Sequence, residues 1–291
     1  MVAFANHSID LLERLARETD NAFLMNRRGY LFATAENSGA LIDAARETTS
    51  LGAGDLRVHN QTTANYVPAP AHGFENLPDG VDLFDEPDLI MQLFPYLSDT
   101  STTVAHARRC GWLSAQQLGM TMLAQAQKAG VKLLRGKLTA VDTTGGRIKG
   151  VTVETGTGKT ELATPIFINA AGPLTSTVGQ LCGLDLPIKL EGHVKISFND
   201  HRRAVPRDAP LVIWNDEVAL PWSQEEREAL AGSPETEALL ENFVAGVHGR
   251  PDGAGDTVLL YWTYEGGKPD LVLPVPYDPN YPEITIRGMS M

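Results

Sequence analysis

The chain has 291 residues, a formal net charge of −12, 43% apolar residues and 21% charged ones. A chain this apolar buries a sizeable core, which excludes disorder as its main state. The acidic balance argues against a nucleic-acid binder, which needs clustered Lys and Arg. No run reaches the roughly 18 consecutive apolar residues of a membrane span.

The opening segment predicts an amphipathic helix, with Ile9, Leu12, Leu15 and Ala16 on one face and Glu13, Arg14 and Arg17 on the other. It has no basic leader and no long apolar run, so no signal peptide is expected. Cys110 and Cys182 form no CxxC, and reduced thiols in a cytoplasmic setting follow. Residues 25–35 predict a strand whose apolar part is Tyr30 to Phe32. A second helix is expected from the N-cap Asn37 to Gly52. From about 60 to 88, Pro68, Pro70, Gly73, Pro78, Gly80 and Pro87 predict an irregular surface excursion.

The middle of the chain is the most regular. Ser114 with Gln117 reads as a capping box opening a helix that Gly130 closes. Residues 131–134 predict a short buried strand. LTAVD, RIKGVTVET and ELATPIFINA follow as strands, with turns at Gly145-Gly146 and at 155–159. Further on, 193–198, 211–214, 258–264 and 283–287 are strand candidates, and Ser223 with Glu226 forms a second capping box. The fold class is mixed α and β: one part sheet-and-helix, the other a larger antiparallel sheet.

Gly156-Thr157-Gly158-Lys159-Thr160 imitates the end of a phosphate-binding loop. Val153 stands where that loop needs glycine, and a strand follows instead of a helix. A hairpin turn is the better reading. The seven histidines show no HExxH spacing, so no metal site is predicted. No GxSxG elbow supports a serine hydrolase. The informative stretch is Ile166-Phe167-Ile168-Asn169-Ala170-Ala171-Gly172-Pro173, an apolar strand that ends in small residues at a helix start. Such a junction lets backbone N–H groups approach a phosphate or flat ring, or lets strand and helix pack closely.

Cys110-Gly111-Trp112-Leu113-Ser114, Gly130-Val131-Lys132-Leu133, Leu138-Thr139-Ala140-Val141, Gly146-Arg147-Ile148-Lys149-Gly150-Val151 and Asn169-Ala170-Ala171-Gly172 occur in one order. That order resembles the D-amino-acid oxidase family, flavoproteins that act on amines and amino acids. Met25-Asn26-Arg27-Arg28-Gly29-Tyr30, Val212-Ile213-Trp214-Asn215-Asp216 and Asp278-Pro279-Asn280-Tyr281 resemble the same family, and the likeness extends over nearly the whole chain.

The resemblance implies FAD as cofactor, with Leu138 near the adenine and Ala170, Ala171 and Gly172 beside the cofactor. It implies oxidation of a small amine or amino acid by hydride transfer to flavin. It places residues 1–20 and 109–186 in a partial, Rossmann-like FAD-binding domain, and 21–108 and 187–291 in a substrate domain. Arg28, Arg109 and Lys195 are candidate clamps for a substrate carboxylate, with His193, Tyr261 and Tyr264 as wall or proton-handling residues.

Two departures stand out. Leu174 replaces an expected Trp, and no GxGxxG occurs anywhere. The latter leaves the pyrophosphate without its glycine loop. The chain therefore reads as a middle piece, and the alternative is a truncated or inactive paralogue that binds no FAD by itself. A nicotinamide dehydrogenase would need the same missing fingerprint. Uncovered apolar faces would favour self-association.

Overall fold

In a computed structural model, residues 1–60, 66–190, 192–253, 255–264 and 278–290 are described. In chain order, the elements are α1 (Val2–Glu18), β1 (Tyr30–Thr34), α2 (Ser38–Thr48), β2 (Leu56–His59), β3 (Val81–Phe84), α3 (Pro87–Leu93) and β4 (Thr103–Ala107). Then come α4 (Ala115–Lys128), β5 (Lys137–Thr144), β6 (Arg147–Thr155), β7 (Gly158–Ala163), α5 (Thr175–Leu181), β8 (Lys195–Asn199) and β9 (Leu211–Trp214). The rest are β10 (Val218–Ala219), α6 (Gln224–Leu230), α7 (Pro234–Glu237), β11 (Asn242–Phe243), β12 (His248–Pro251), β13 (Thr257–Tyr261) and α8 (Tyr281–Met289). They divide into two compact units. The first holds the described residues of Met1–Met122, His193–Gly266 and Tyr277–Met291, and the second those of Leu123–Gly192.

The first unit is built on an eight-stranded sheet in the order β2-β3-β4-β1-β9-β12-β13-β8. Where the sequence predicts an antiparallel sheet, this one is mixed: β2 pairs parallel with β3, and β1 with β9. Side chains alternate between the two faces. On one face Leu31, Ala33, Phe84, Val104 and Val212 pack with Ile90 of α3 and with Phe94. On the other, Leu41 and Ala45 of α2 cover Val81, Leu83, Ala105 and Phe32. The expected excursion at 60–88 therefore contains a strand, β3, whose four residues are all buried. The Pro and Gly residues flank that strand and leave its interior free.

Two more sequence expectations change here. Residues 283–287 lie in α8 and not in a strand. Tyr281, Ile284, Thr285 and Gly288 are its buried residues, at helical spacing, and Gly288 sits against the Trp262 ring. Pro282 fits the first helical turn. The Ile284/Ile286 alternation that suggests a strand is thus a by-product. The Asn37 side chain makes no cap bond to its helix, because Nδ2 donates to Asp216 instead.

The second unit contains the meander β5-β6-β7, with a turn at Gly145-Gly146, both at positive φ, and another at 155–158. The phosphate-loop lookalike is that second turn. Residues 131–134 and 166–170 lie in no helix or strand. A strand exists only through its ladder partner, and neither segment has one among the described residues. The unit is sparsely packed: Val141 is its buried large apolar side chain, whereas Ile166 and Ile168 are 72% and 80% exposed.

Candidate functional site

One row of cross-strand neighbours runs across the large sheet: Leu83, Ala105, Phe32, Ile213, His248, Tyr261 and Lys195. Its first three members lie under α2. From Ile213 onward the face is half-exposed, ending at the exposed Lys195. Two residues along the strands, a second row holds Tyr30 and Leu211, then Arg250, Leu259 and Ser197. The sheet thus carries apolar residues where a helix covers it. Beyond the helix it changes to His, Tyr, Arg and Lys on a floor of Leu and Ile.

Trp112 stands at one end of this face. The Arg250 guanidinium lies 4.8 Å from its ring centroid and that of Arg28 lies 5.1 Å away. Tyr30 donates its hydroxyl to the preceding residue, Gly111 O, at 3.2 Å. At the other end the Lys195 ammonium sits 4.7 Å over the Tyr261 ring, and the His248 ring meets that ring edge-on. Such contacts favour a cation over an aromatic face.

Burial, with Cys110 and Tyr261 nearby, pushes the Tyr30 hydroxyl up to about 12. Burial also raises Tyr261 against the opposing pull of Arg250. Both phenols are therefore neutral donors at ordinary pH. Burial lowers the His248 pKa, and Lys195 and His193 lower it further, against the bond to Gly246 O.

The opposite face carries a buried charge cluster with a structural part to play. Asp82, 1% exposed, accepts from Arg57 (2.7 and 3.1 Å), Arg108 (3.1 Å) and His59 (2.9 Å). Its burial raises the carboxyl, and the bonds from Arg57 and His59 with the nearby cations outweigh that and hold it low. His106, driven to about 3 by burial and by Arg108, is neutral. Its Nε2–H donates to Arg28 O at 2.8 Å, which leaves Nδ1 to accept from Tyr66 at 3.2 Å.

The residues singled out in the sequence scatter across the fold. Lys195 lies on the open face, and His193 stands nearby with Nδ1 3.2 Å from Thr263 Oγ1. Arg28 is buried behind Trp112 and gives its guanidinium to the carbonyls of Ala71 and Arg207, which makes it a clasp between loops. Arg109 pairs with Asp10 of α1 and lies 3.9 Å from Asp79. Tyr264 packs among Phe243, Trp262 and Tyr281. Leu138 is half-buried on β5 of the second unit, and Ala170 to Gly172 lead into its short helix α5. Sequence reasoning passed over His248, Arg250, Tyr30 and Trp112. The i, i+2 pair His248/Arg250 on a strand was the available signal.

FAD demands a cradle for its doubly negative pyrophosphate. Around Ala170–Gly172 the backbone is open: Gly172 has φ 55, and a Cβ there would meet nothing within 4 Å. That suits close approach of a flat group. The helix after it has seven residues, and no GxGxxG exists to hold the phosphates. The residues present fit FAD only in part: the open backbone at Ala170–Gly172 suits a flat group, and the glycine loop for the pyrophosphate is missing.

The sequence matches the family model of the DAO FAD-dependent oxidoreductases over residues 1–219, and the chain belongs to that family. Among solved structures it resembles L-proline dehydrogenase from P. horikoshii, with 14% identity and a TM-score of 0.62, over 97% of this chain and 59% of that one. It also resembles glycine oxidase from Bacillus cereus ATCC 14579 (11%, TM-score 0.59, 98% and 63%) and fructosyl peptide oxidase from E. terrenum (12%, 0.56, 97% and 60%). At these identities the likeness is one of fold, and the chain spans about three fifths of the length of these proteins. No curated protein matches the sequence.

Proposed function

We propose that the open half of the large sheet is the substrate face of an FAD-dependent oxidoreductase that oxidises a small amine or amino acid. The observation that carries this is the row His248, Tyr261, Lys195, with Tyr30, Arg250 and Trp112 beside it. A small amino acid needs a cation for its carboxylate, an acceptor for its amino group and an apolar floor between them. Lys195 offers the cation, His248 the acceptor, and Tyr261 with Ile213 the floor. Tyr30 and Arg250 hold Trp112 as an end wall. The similar solved structures are named for proline, glycine and fructosyl peptides, which supports a small amine as substrate. FAD, when bound, supplies the hydride acceptor of this family. The residues named here bind and orient the substrate.

In this reading residues 1–20 and 109–186 belong to the cofactor domain, and 21–108 and 187–291 to the substrate domain. Cytoplasmic residence is part of the same proposal. Cys110 and Cys182 are free thiols, and no described helix is long and apolar enough to cross a membrane. The missing GxGxxG favours a second reading, a family member that does not bind FAD by itself. Titrating the chain with acetate while following backbone amide shifts tests the substrate face. The expected shifts cluster on β8, β12 and β13, and Lys195→Met weakens the binding about fivefold or more. Shifts confined to other parts of the fold would refute it.

A further inference from the structure

The His248 ring is held in one tautomer. Its Nδ1 lies 2.6 Å from the carbonyl oxygen of Gly246, so Nδ1 carries the hydrogen and Nε2 keeps a lone pair. Among the described residues no donor bonds to Nε2. The groups that face this ring come from several elements. Tyr261 stands beside it on β13 and Lys195 lies beyond Tyr261 on β8. His193 lies just before β8, Arg250 is on its own strand, and β9 contributes only the apolar Ile213. None of these is a carboxylate that would stabilise an imidazolium; Lys195 brings a positive charge, and the charge of Arg250 is paired with Asp252 at 2.5 Å. A neutral acceptor and a cation therefore flank one aromatic ring, about two strand spacings (~10 Å) apart at the backbone. Both side chains touch the Tyr261 ring, the Lys195 ammonium 4.7 Å from its centroid and the His248 ring edge-on to it.

We propose that His248 is a specificity-determining residue of this face: its Nε2 accepts a hydrogen bond from an N–H of the substrate's amino group while Lys195 takes the carboxylate. This rests on the reading of the face as the substrate site. It adds that the site reads the presence of an N–H, and that it does so only while the imidazole is neutral. Protonating Nε2 removes the lone pair and places a second positive charge near Lys195. The sign follows directly. Recognition of the amino group is complete above the His248 pKa and is lost as pH falls through it, in a window below the ordinary histidine value of 6.5.

The test uses the 291-residue chain and three probes: glycine, its N-trimethyl analogue betaine, and acetate. Betaine keeps the carboxylate and the positive nitrogen but has no N–H. Affinities are read from amide shifts on β8, β12 and β13. At pH 7.5 glycine is expected to bind about tenfold more tightly than betaine, the worth of one hydrogen bond to a charged group. That ratio should fall toward one as pH is lowered through the His248 pKa, so it should be smaller at pH 4.5. His248→Gln keeps an acceptor oxygen that does not titrate, so the preference should persist at both pH values. His248→Leu should bind the two ligands equally while its amide spectrum stays dispersed. Equal binding of glycine and betaine by the unaltered chain, with shifts on the three strands, overturns the role of His248 and leaves the substrate face standing. A preference retained by His248→Leu overturns it as well. Absence of shifts on these strands with all three probes overturns the substrate face and this inference together.

Discussion

Asp216 ties the end of β1 to the start of α2, and replacing it with Asn should destabilise the first unit severely. The carboxylate is 3% exposed. One oxygen accepts from Thr34 Oγ1 at 2.5 Å and Asn37 Nδ2 at 2.7 Å. The other accepts from the backbone N–H groups of Ala35 at 2.6 Å and Glu36 at 3.3 Å. Burial raises its pKa, but these four bonds outweigh that and hold it below the usual carboxylate value of 3.8. In Asp216→Asn one oxygen becomes an NH2 group that faces donors, whichever way the amide turns. Two bonds are lost, and the remaining two lose their charge assistance. At roughly 1.5–3 kcal/mol for each charged bond, the loss is about 3–5 kcal/mol. For a unit of this size that corresponds to a fall in Tm of roughly 6–20 °C. Thermal melts followed by circular dichroism would measure it. The pH dependence supplies a second check. The folded-state pKa lies below the unfolded one, so the advantage of Asp over Asn is full above about pH 4. It should shrink as pH falls through the folded value. A Tm within about 1 °C of the unaltered chain, or a difference that does not narrow in acid, would refute the reasoning.

Gly29→Ala should cost about 3 kcal/mol or more, because Gly29 has φ 88 and a Cβ would collide with the His106 ring and the Ala107 carbonyl. Urea unfolding would show it as a lower midpoint at unchanged slope. The purified chain is expected to be colourless, since no glycine loop holds the pyrophosphate and losing such bonds costs several powers of ten in affinity. A stoichiometric flavin absorbance band would overturn this. Residues 123–192 expose Val131, Leu133, Ile166, Ile168, Leu174 and Leu184, and patches of this kind drive association. Light scattering should show oligomers at high concentration despite the charge of −12; a stable monomer would count against it.

Much of the local structure was readable from the chain itself. The stripe Ile9, Leu12, Leu15 predicts α1, and these residues pack on the buried Ala16, Phe23 and Phe74. Ser223 and Glu226 form both bonds of their capping box. Gly145-Gly146 turns the meander as its pairing predicts. For the capping box and the meander turn the decisive contacts lie within a few residues, so local sequence suffices; for α1 the periodicity is local, although Phe74 completes its packing from far along the chain. Residues 131–134 and 283–287 show where that stops. Whether an apolar run is a strand depends on a distant partner. Whether an Ile-rich run is a helix depends on which face finds a core, and here Trp262 supplied it. The open sheet face is built from β9, β12, β13 and β8, with Tyr30 of β1 beside them. Lys195 lies more than fifty positions before His248 and Tyr261, and the three meet only because β12, β13 and β8 pair in one register. Asp216 reaches Thr34 across some 180 positions. Hydrogen-bond register and side-chain convergence are properties of paired strands, and no single segment contains the partner that completes them.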